Sequence, residues 1–180
     1  MQRFALIPFP ADHLPQIRIR GEIERIKNRL SIHYSVTDEI DSILLPELSE
    51  FPSRKHDLWK ATCFEFFVAF KDQPRYWEFN LSPSTDWNVY AMDAYRQVNM
   101  REETGFPQLP FEFVGTDGKL SLDVSVDLSP ILQRDSILQF GIAAIIQNQD
   151  RNETYWALSH PGAPTTQADF HLRESFVIEL

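Results

Sequence analysis

Residues 59–70 read WKATCFEFFVAF, and residues 76–82 read YWEFNLS. Both segments are rich in the aromatic residues that favour β-strands. Within the first segment, the run from Cys63 to Phe70 is apolar on both faces apart from Glu65, as expected of a strand in the middle of a sheet. The second segment alternates, so one face is predicted to join the core and the other to line a polar surface. The core face consists of Trp77, Phe79 and Leu81, and the polar face of Tyr76, Glu78, Asn80 and Ser82.

The two-residue period recurs along most of the chain. Further strands are predicted near residues 17–23, 30–36, 119–126, 137–147, 154–160 and 175–180, with turns rich in Pro and Gly between them. Short helices are predicted within residues 35–48 and 99–105. About ten short strands without long helices predict an all-β protein. We expect one domain over residues 1–180, a two-sheet antiparallel β-sandwich of the jelly-roll or immunoglobulin-like kind, with a barrel as the alternative.

The net charge and the cysteine content limit the classes of binding partner and the cellular compartment that we expect. The net charge of −9 argues against nucleic acid and against anionic membrane surfaces. Cys63 is the only cysteine, so no internal disulfide is expected. The N-terminal apolar run is short and is broken by Pro8 and Pro10, unlike a signal peptide. These features predict a cytoplasmic protein and leave neutral or cationic small molecules and other proteins as possible partners.

Glu65 is the residue that most needs a chemical explanation. It lies among apolar residues of a strand that is predicted to be central, where an unpaired carboxylate would cost several kcal/mol. Arg96, Lys60 and the ring donors of Trp and Tyr are the candidates to pair with it. A buried carboxylate of this kind is either part of a core network or part of a site.

The motifs LWKATCFEFFVAF (58–70) and YWEFNLSPSTDWNVYAMDAYR (76–96) resemble the DOMON-like superfamily, which includes family-nine carbohydrate-binding modules. In that superfamily a Trp precedes an acidic residue in a hydrophobic strand, and a strand with Tyr, Glu and Phe leads into a Ser-Pro turn. The later pieces YWALSHPG (155–162) and ADFHLRESFVIEL (168–180) resemble a subgroup of uncharacterised bacterial, often cyanobacterial, DOMON-like proteins.

The resemblance implies a jelly-roll-like sandwich with a shallow ligand site on one sheet. By motif, Trp59 takes the place of the Trp before the acidic strand, and Glu65 takes the acidic position. The ligand that the resemblance implies is a carbohydrate or another small neutral molecule, stacked on aromatic rings and held through its hydroxyl groups without catalysis. The expected site consists of Trp59 and Trp156 as stacking rings and Glu65, Glu78, Asn80 and Arg96 as hydrogen-bonding groups.

Other functions remain as alternatives. A structural or protein-interaction sandwich without a small ligand, able to form a homodimer, is the main rival. Haem binding requires axial residues, and no His is placed opposite Met92, so no cofactor is expected. His160, Asp169 and His171 form a weak candidate metal site. An enzyme is the third hypothesis, because the chain has no nucleophile motif and Glu65 and Glu78 offer only a loose carboxylate pair.

Overall fold

The structure is a computed structural model that describes residues 1–95, 100–132, 136–162 and 167–180. The described residues form thirteen β-strands and three short 3-10 helices. The strands are β1 Gln2–Ala5, β2 Ile7–Pro8, β3 Ile17–Ile26, β4 Arg29–Asp38, β5 Cys63–Phe70, β6 Tyr76–Leu81, β7 Trp87–Met92, β8 Arg101–Glu102, β9 Phe111–Thr116, β10 Lys119–Asp127, β11 Leu138–Gln147, β12 Glu153–Ala157 and β13 Ile178–Glu179. The 3-10 helices are Ile40–Ser42, Leu58–Lys60 and Arg173–Ser175.

The strands form two antiparallel sheets. The smaller sheet has five strands in the order β1-β3-β4-β10-β9. The larger sheet has eight strands, in the order β2-β12-β11-β5-β6-β7-β8, with β13 also paired to β11. The predicted two-sheet antiparallel β-sandwich is therefore confirmed. Strand β5, which carries Glu65, lies between β6 and β11 in the interior of the larger sheet, as its apolar sequence predicted.

The inner faces of the two sheets pack against each other to form the main core. Strands β3, β4 and β10 bury alternate residues, and their other residues form an exposed polar face. The larger sheet contributes Trp77, Phe79 and Leu81, as predicted, and Phe66 stacks on Phe79 with ring centroids 4.3 Å apart. The Tyr34 hydroxyl crosses between the sheets and donates a 2.9 Å hydrogen bond to the backbone oxygen of Glu65.

The outer face of the larger sheet is covered as well, which corrects the prediction of a solvent-facing polar surface on β6. Every residue of β5, β6 and β7 is buried. A second apolar cluster covers this face where Phe170 and Phe176 pack on Phe67 and its neighbours. Phe176 approaches so closely that a Cβ added to Gly141 would lie 2.8 Å from its Cδ1 atom. The chain near the C-terminus therefore hides side chains that alternation alone would expose.

The Ser-Pro turn between β6 and β7 is closed by the buried carboxylate of Asp86. This carboxylate accepts hydrogen bonds from Lys55 at 2.8 Å, from Ser84 Oγ at 2.9 Å, from the Ser53 backbone at 3.1 Å and from Ser49. Burial alone would raise the pKa of Asp86, but these hydrogen bonds outweigh it and lower the pKa to about 2. The polar residues of this turn fix the loop before β5 to the β6–β7 hairpin.

Several local predictions need correction. Residues 35–48 contain the end of β4 and the single 3-10 turn Ile40–Ser42 in place of a longer helix. In residues 99–105, Arg101 and Glu102 form strand β8 against Ala91 and Tyr90, so the sheet overrides the local helix signal. Strands β1, β2, β7, β8 and β9 were not predicted. Within the residues described here, no helix is both long and apolar enough to span a membrane.

Candidate functional site

A pocket of about 320 Å³ opens on the outer face of the larger sheet. Glu65, Glu78 and Ile145 belong to its floor, Trp59 and Lys60 stand on one side, and Glu153 and Tyr155 stand on another. His171 and the residues just before it cover the third side. Three other depressions, of about 310, 350 and 260 Å³, lie beside His33, beside Trp156 and beside Trp77. Only the pocket at Glu65 has a buried carboxyl group without a partner, counting the described residues alone.

Glu65 lies in the middle of β5, opposite Ala143 of β11 and Asn80 of β6. The residue is only 3% exposed, and it lines the pocket. No described residue donates a hydrogen bond or forms an ion pair with its carboxyl group. Burial, followed by the negative charge of Glu78, raises the pKa of Glu65 well above its usual value. The protein therefore keeps a carboxyl group at the pocket floor whose hydrogen-bonding capacity it does not satisfy itself.

Glu78 is the second carboxyl group of the floor and has partners. Asn80 donates a 2.8 Å hydrogen bond from Nδ2 to one oxygen of Glu78, and His171 Nε2 lies 3.9 Å from the other. Burial raises the pKa of Glu78 to about 7, although the bond from Asn80 acts in the opposite direction. Because two buried carboxylates on adjacent strands repel each other, the pair favours a state that retains a proton near neutral pH.

His171 is held in a fixed orientation above the floor. Its Nδ1 atom lies 2.9 Å from the Tyr76 hydroxyl, and its backbone N–H donates to Asp169 at 3.0 Å. Its ring meets Phe67 edge to face, with centroids 5.5 Å apart. With Nδ1 engaged by Tyr76, the other ring nitrogen is directed towards Glu78 and the pocket.

Two aromatic side chains stand at the pocket walls. Trp59 belongs to the 3-10 helix Leu58–Lys60, which follows Asp57 in a left-handed backbone conformation with φ 62°. The Trp59 ring contacts Tyr90 edge to face at 5.8 Å. Across the pocket, the Tyr155 hydroxyl donates to Glu153 at 2.7 Å. Burial and this hydrogen bond raise the pKa of Tyr155 to about 12, so the phenol stays protonated.

The architecture is similar to that of several solved structures. A proposed carbohydrate-binding protein from Bacteroides uniformis superposes with a TM-score of 0.75 over 97% of this chain and 84% of its own, at 14% identity. The chain has a carbohydrate-binding-module-like fold. A family-nine carbohydrate-binding module from Caldicellulosiruptor kristjanssonii, solved with cellotriose, gives a TM-score of 0.54 at 11% identity over 84% of this chain and 70% of its own. The structure of such a module from the same organism with glucose gives a TM-score of 0.50 at 12% identity, over 84% of this chain and 72% of its own. No protein-family model matches the chain, and no curated protein sequence matches it either.

In this carbohydrate-binding-module-like fold, Trp59, Glu65 and Glu78 come together at one pocket, but Trp156 does not join them. The Trp156 side chain lies in the core between the sheets, and its Nε1–H donates to Thr154 at 3.0 Å. The prediction of Trp156 as a second stacking ring is therefore wrong for this pocket. Its neighbour Tyr155 occupies the wall instead, because successive side chains of a strand point to opposite faces.

The remaining candidates are placed as follows. Asn80 is fully buried beneath the pocket, where it holds Glu78 and does not line the cavity. Arg96 lies outside the described residues. His160 contacts the Ile7 backbone oxygen at 3.0 Å, while Asp169 accepts hydrogen bonds from the His171 backbone and the Tyr95 hydroxyl. These residues do not converge, and the described part of the chain holds no cluster of three His, Cys, Asp or Glu that could bind a metal.

Tyr155, Glu153 and His171 were not recognised as wall residues from the sequence. The pairing of β11 with β12 identifies Tyr155. Tyr155 lies opposite Ile145, whereas Trp156 lies opposite Ala144. Since Ile145 and Glu65 share a face of the sheet, Tyr155 shares it too. His171 carries no comparable signal, because an irregular segment brings it over the sheet.

Proposed function

We propose that this protein binds a carbohydrate, as a monosaccharide or the end of a short chain, in the pocket above Glu65. The observation that carries the proposal is the Glu65 carboxyl group, which is buried, lines the pocket and has no partner among the described residues. Leaving such a group unsatisfied is costly unless a ligand or water completes its hydrogen bonds. A sugar hydroxyl is a donor that would do so.

The walls suit a sugar ring as well. A pyranose has apolar C–H faces and a rim of hydroxyl groups, so it needs both aromatic surface and oriented acceptors. Trp59 and Tyr155 provide the aromatic surface, while Glu65 and Glu78 provide the acceptors. The fold likeness to modules that were solved with cellotriose and glucose supports the same ligand class. A volume of about 320 Å³ is at the small end of ligand pockets and suits one sugar unit.

We further propose that binding is not followed by hydrolysis. Glycosidases place two carboxyl groups on either side of the scissile bond. Glu65 and Glu78 project from adjacent strands on the same face of one sheet, and both belong to the pocket floor. A ligand would therefore meet both groups on one side. Membership in the DOMON-like superfamily, with its haem-binding branch, stays a prediction from the sequence resemblance.

Isothermal titration calorimetry against a panel of mono- and oligosaccharides tests the proposal. We expect micromolar to millimolar affinity for at least one sugar, reduced at least about tenfold by Trp59→Ala and by Glu65→Gln. Asp123→Asn on the outer face of the smaller sheet is the control and should bind like the wild type. Absence of heat with every sugar, from protein shown to be folded, would overturn the proposal. The interaction module without a small ligand would then be the better hypothesis.

A further inference from the structure

The charges around the pocket are unevenly balanced. Three carboxyl groups line it, those of Glu65, Glu78 and Glu153. Among the described residues of the lining, Lys60 is the only lysine or arginine, and its ammonium group already forms a 2.7 Å ion pair with Asp57. The Lys60 side chain is also largely exposed to solvent. Among the described residues, the floor therefore has two carboxyl groups and no lysine or arginine in contact with them, and the nearest ring nitrogen is His171 Nε2, 3.9 Å from Glu78.

A neutral sugar would satisfy the hydrogen bonds of this floor but not its charge. A hydroxyl group can donate to Glu65, but it brings no positive charge to offset the repulsion between ionised Glu65 and Glu78. A cation placed between the carboxylates would stabilise the ionised form of both, and charge-assisted hydrogen bonds are stronger than neutral ones. The faces of Trp59 and Tyr155 attract cations too, through their ring quadrupoles.

We propose that the preferred ligand is an amino sugar, with its protonated amine on the floor carboxylates Glu65 and Glu78 and its ring between Trp59 and Tyr155. This proposal rests on the carbohydrate-binding function proposed above and names the class of sugar. An ammonium group has three donors, and Glu65 offers acceptors that no described residue uses. The pocket thereby distinguishes an amine from the hydroxyl group of the parent sugar.

Proton release is a consequence of this arrangement. Among the described residues, the titratable groups around Glu65 come from every neighbouring element: Cys63 from its own strand, Tyr34 from β4, Glu78 from β6, Glu153 and Tyr155 from β12, Lys60 from the Leu58–Lys60 helix and His171 from the C-terminal segment. Burial raises the pKa values of both Glu65 and Glu78, and the charge of Glu78 raises the pKa of Glu65 further, so the pair retains a proton near neutrality. An ammonium ligand favours the ionised carboxylates and should expel that proton. A neutral sugar should release less of the proton, because its hydroxyl groups favour the ionised carboxylate without adding a positive charge.

Calorimetry on matched ligand pairs tests the inference with the unmodified protein. The pairs are glucose and glucosamine, galactose and galactosamine, and mannose and mannosamine, each with its N-acetylated form, measured at about pH 7 where such amines are largely protonated. We expect one amino sugar to bind at least about tenfold more tightly than its parent and its N-acetyl form. Its binding heat should differ between phosphate and MOPS buffers, which reports the released proton.

Each other outcome has a definite meaning. Equal or tighter binding of the parent sugar would overturn the amino-sugar inference while leaving carbohydrate binding intact. Ethanolamine binding as tightly as the amino sugar would overturn it too, because the ring would then contribute nothing. Absence of binding by every ligand would overturn both proposals. Glu65→Gln keeps an acceptor without the charge, so it should abolish the preference for the amine, whereas Asp123→Asn should preserve it.

Discussion

Tyr155 and Trp156 are consecutive residues of one strand, and they serve opposite sides of the larger sheet. Tyr155 pairs with Ile145 and stands at the pocket wall, while Trp156 pairs with Ala144 and is buried in the core between the sheets. Two aromatic side chains thus lie on opposite faces of the sheet, one at the pocket and one in the core, because they are adjacent residues of one strand.

Substituting each of these residues should separate ligand affinity from stability. Tyr155→Ala is expected to weaken sugar binding at least about tenfold with a small loss of stability, because the half-buried ring belongs to the wall. Trp156→Ala should lower the free energy of unfolding by about 3–5 kcal/mol, since it opens a cavity in the core. Titration calorimetry and urea unfolding on both variants check the pair. A Trp156→Ala protein as stable as the wild type would contradict the assignment.

Glu65→Gln is expected to stabilise the protein above neutral pH. Burial raises the pKa of Glu78 from its usual 4.5 to about 7, and the pKa of Glu65 is raised as well. Between about pH 4.5 and 7 the folded state therefore binds more protons than the unfolded chain, so the free energy of unfolding falls as pH rises.

Removing one of the two charges should flatten this dependence and raise the free energy of unfolding at about pH 8 by roughly 1–3 kcal/mol. Urea unfolding across a pH series measures both effects. Glu112→Gln, at an exposed position on β9 of the other sheet, should leave the slope unchanged. Lower stability of Glu65→Gln at about pH 8 would show that the carboxylate has a stabilising partner.

Asp86→Asn should destabilise the protein by about 2–3 kcal/mol at neutral pH, because it removes a buried negative charge that accepts hydrogen bonds from four groups. The pKa of Asp86 is lowered to about 2, so its contribution is complete above the usual value of 3.8 and disappears as pH falls towards 2. The difference between Asp86→Asn and wild type should therefore shrink in acid. Lys55→Met, which removes one donor from a half-exposed position, should cost less. A difference that persists in acid would argue for a packing effect.

Gly141→Ala tests how closely the C-terminal segment packs on the sheet. The new Cβ would lie 2.8 Å from Phe176 Cδ1, so the ring must shift, at an expected cost of about 1–3 kcal/mol. Gly115→Ala is the matched control, because its nearest neighbour, Leu120 Cδ2, would lie at an ordinary 3.4 Å. Thermal unfolding of both variants makes the comparison. Equal melting temperatures would mean that Phe176 adapts without strain.

The sequence predicted the sandwich because its pattern is local. Two-residue alternation in β3, β4 and β10 reports one buried and one exposed face, and the continuous apolar run around Glu65 reports an interior strand. The same reasoning failed for the outer face of β6. Whether Glu78 and Asn80 are exposed to solvent depends on residues almost a hundred positions later in the chain. The irregular segment before Phe176 has no hydrophobic period, so its sequence does not predict where it packs.

The candidate site was predicted only in part for a related reason. Trp59, Glu65 and Glu78 were identified from a motif, and the structure places them at one pocket. Choosing Trp156 over Tyr155 required knowing which residue of β11 each one opposes, and composition favoured the larger ring. The strand β7 was missed because burial on both faces gives it no simple alternation, with Asn88 and Tyr90 as buried as Val89.

The pocket floor and its walls belong to parts of the fold with different local stability. Glu65 lies on a strand bonded on both sides, and Tyr34 ties its carbonyl to the opposite sheet. Trp59 belongs to a single 3-10 turn outside the strands of this sheet. Backbone amides of the floor should exchange with deuterium only through opening of the whole domain, whereas those around residues 57–61 should exchange through local opening. A bound ligand would then be detected as slowed exchange around Trp59, while the strand that supplies the carboxyl group would report almost no change.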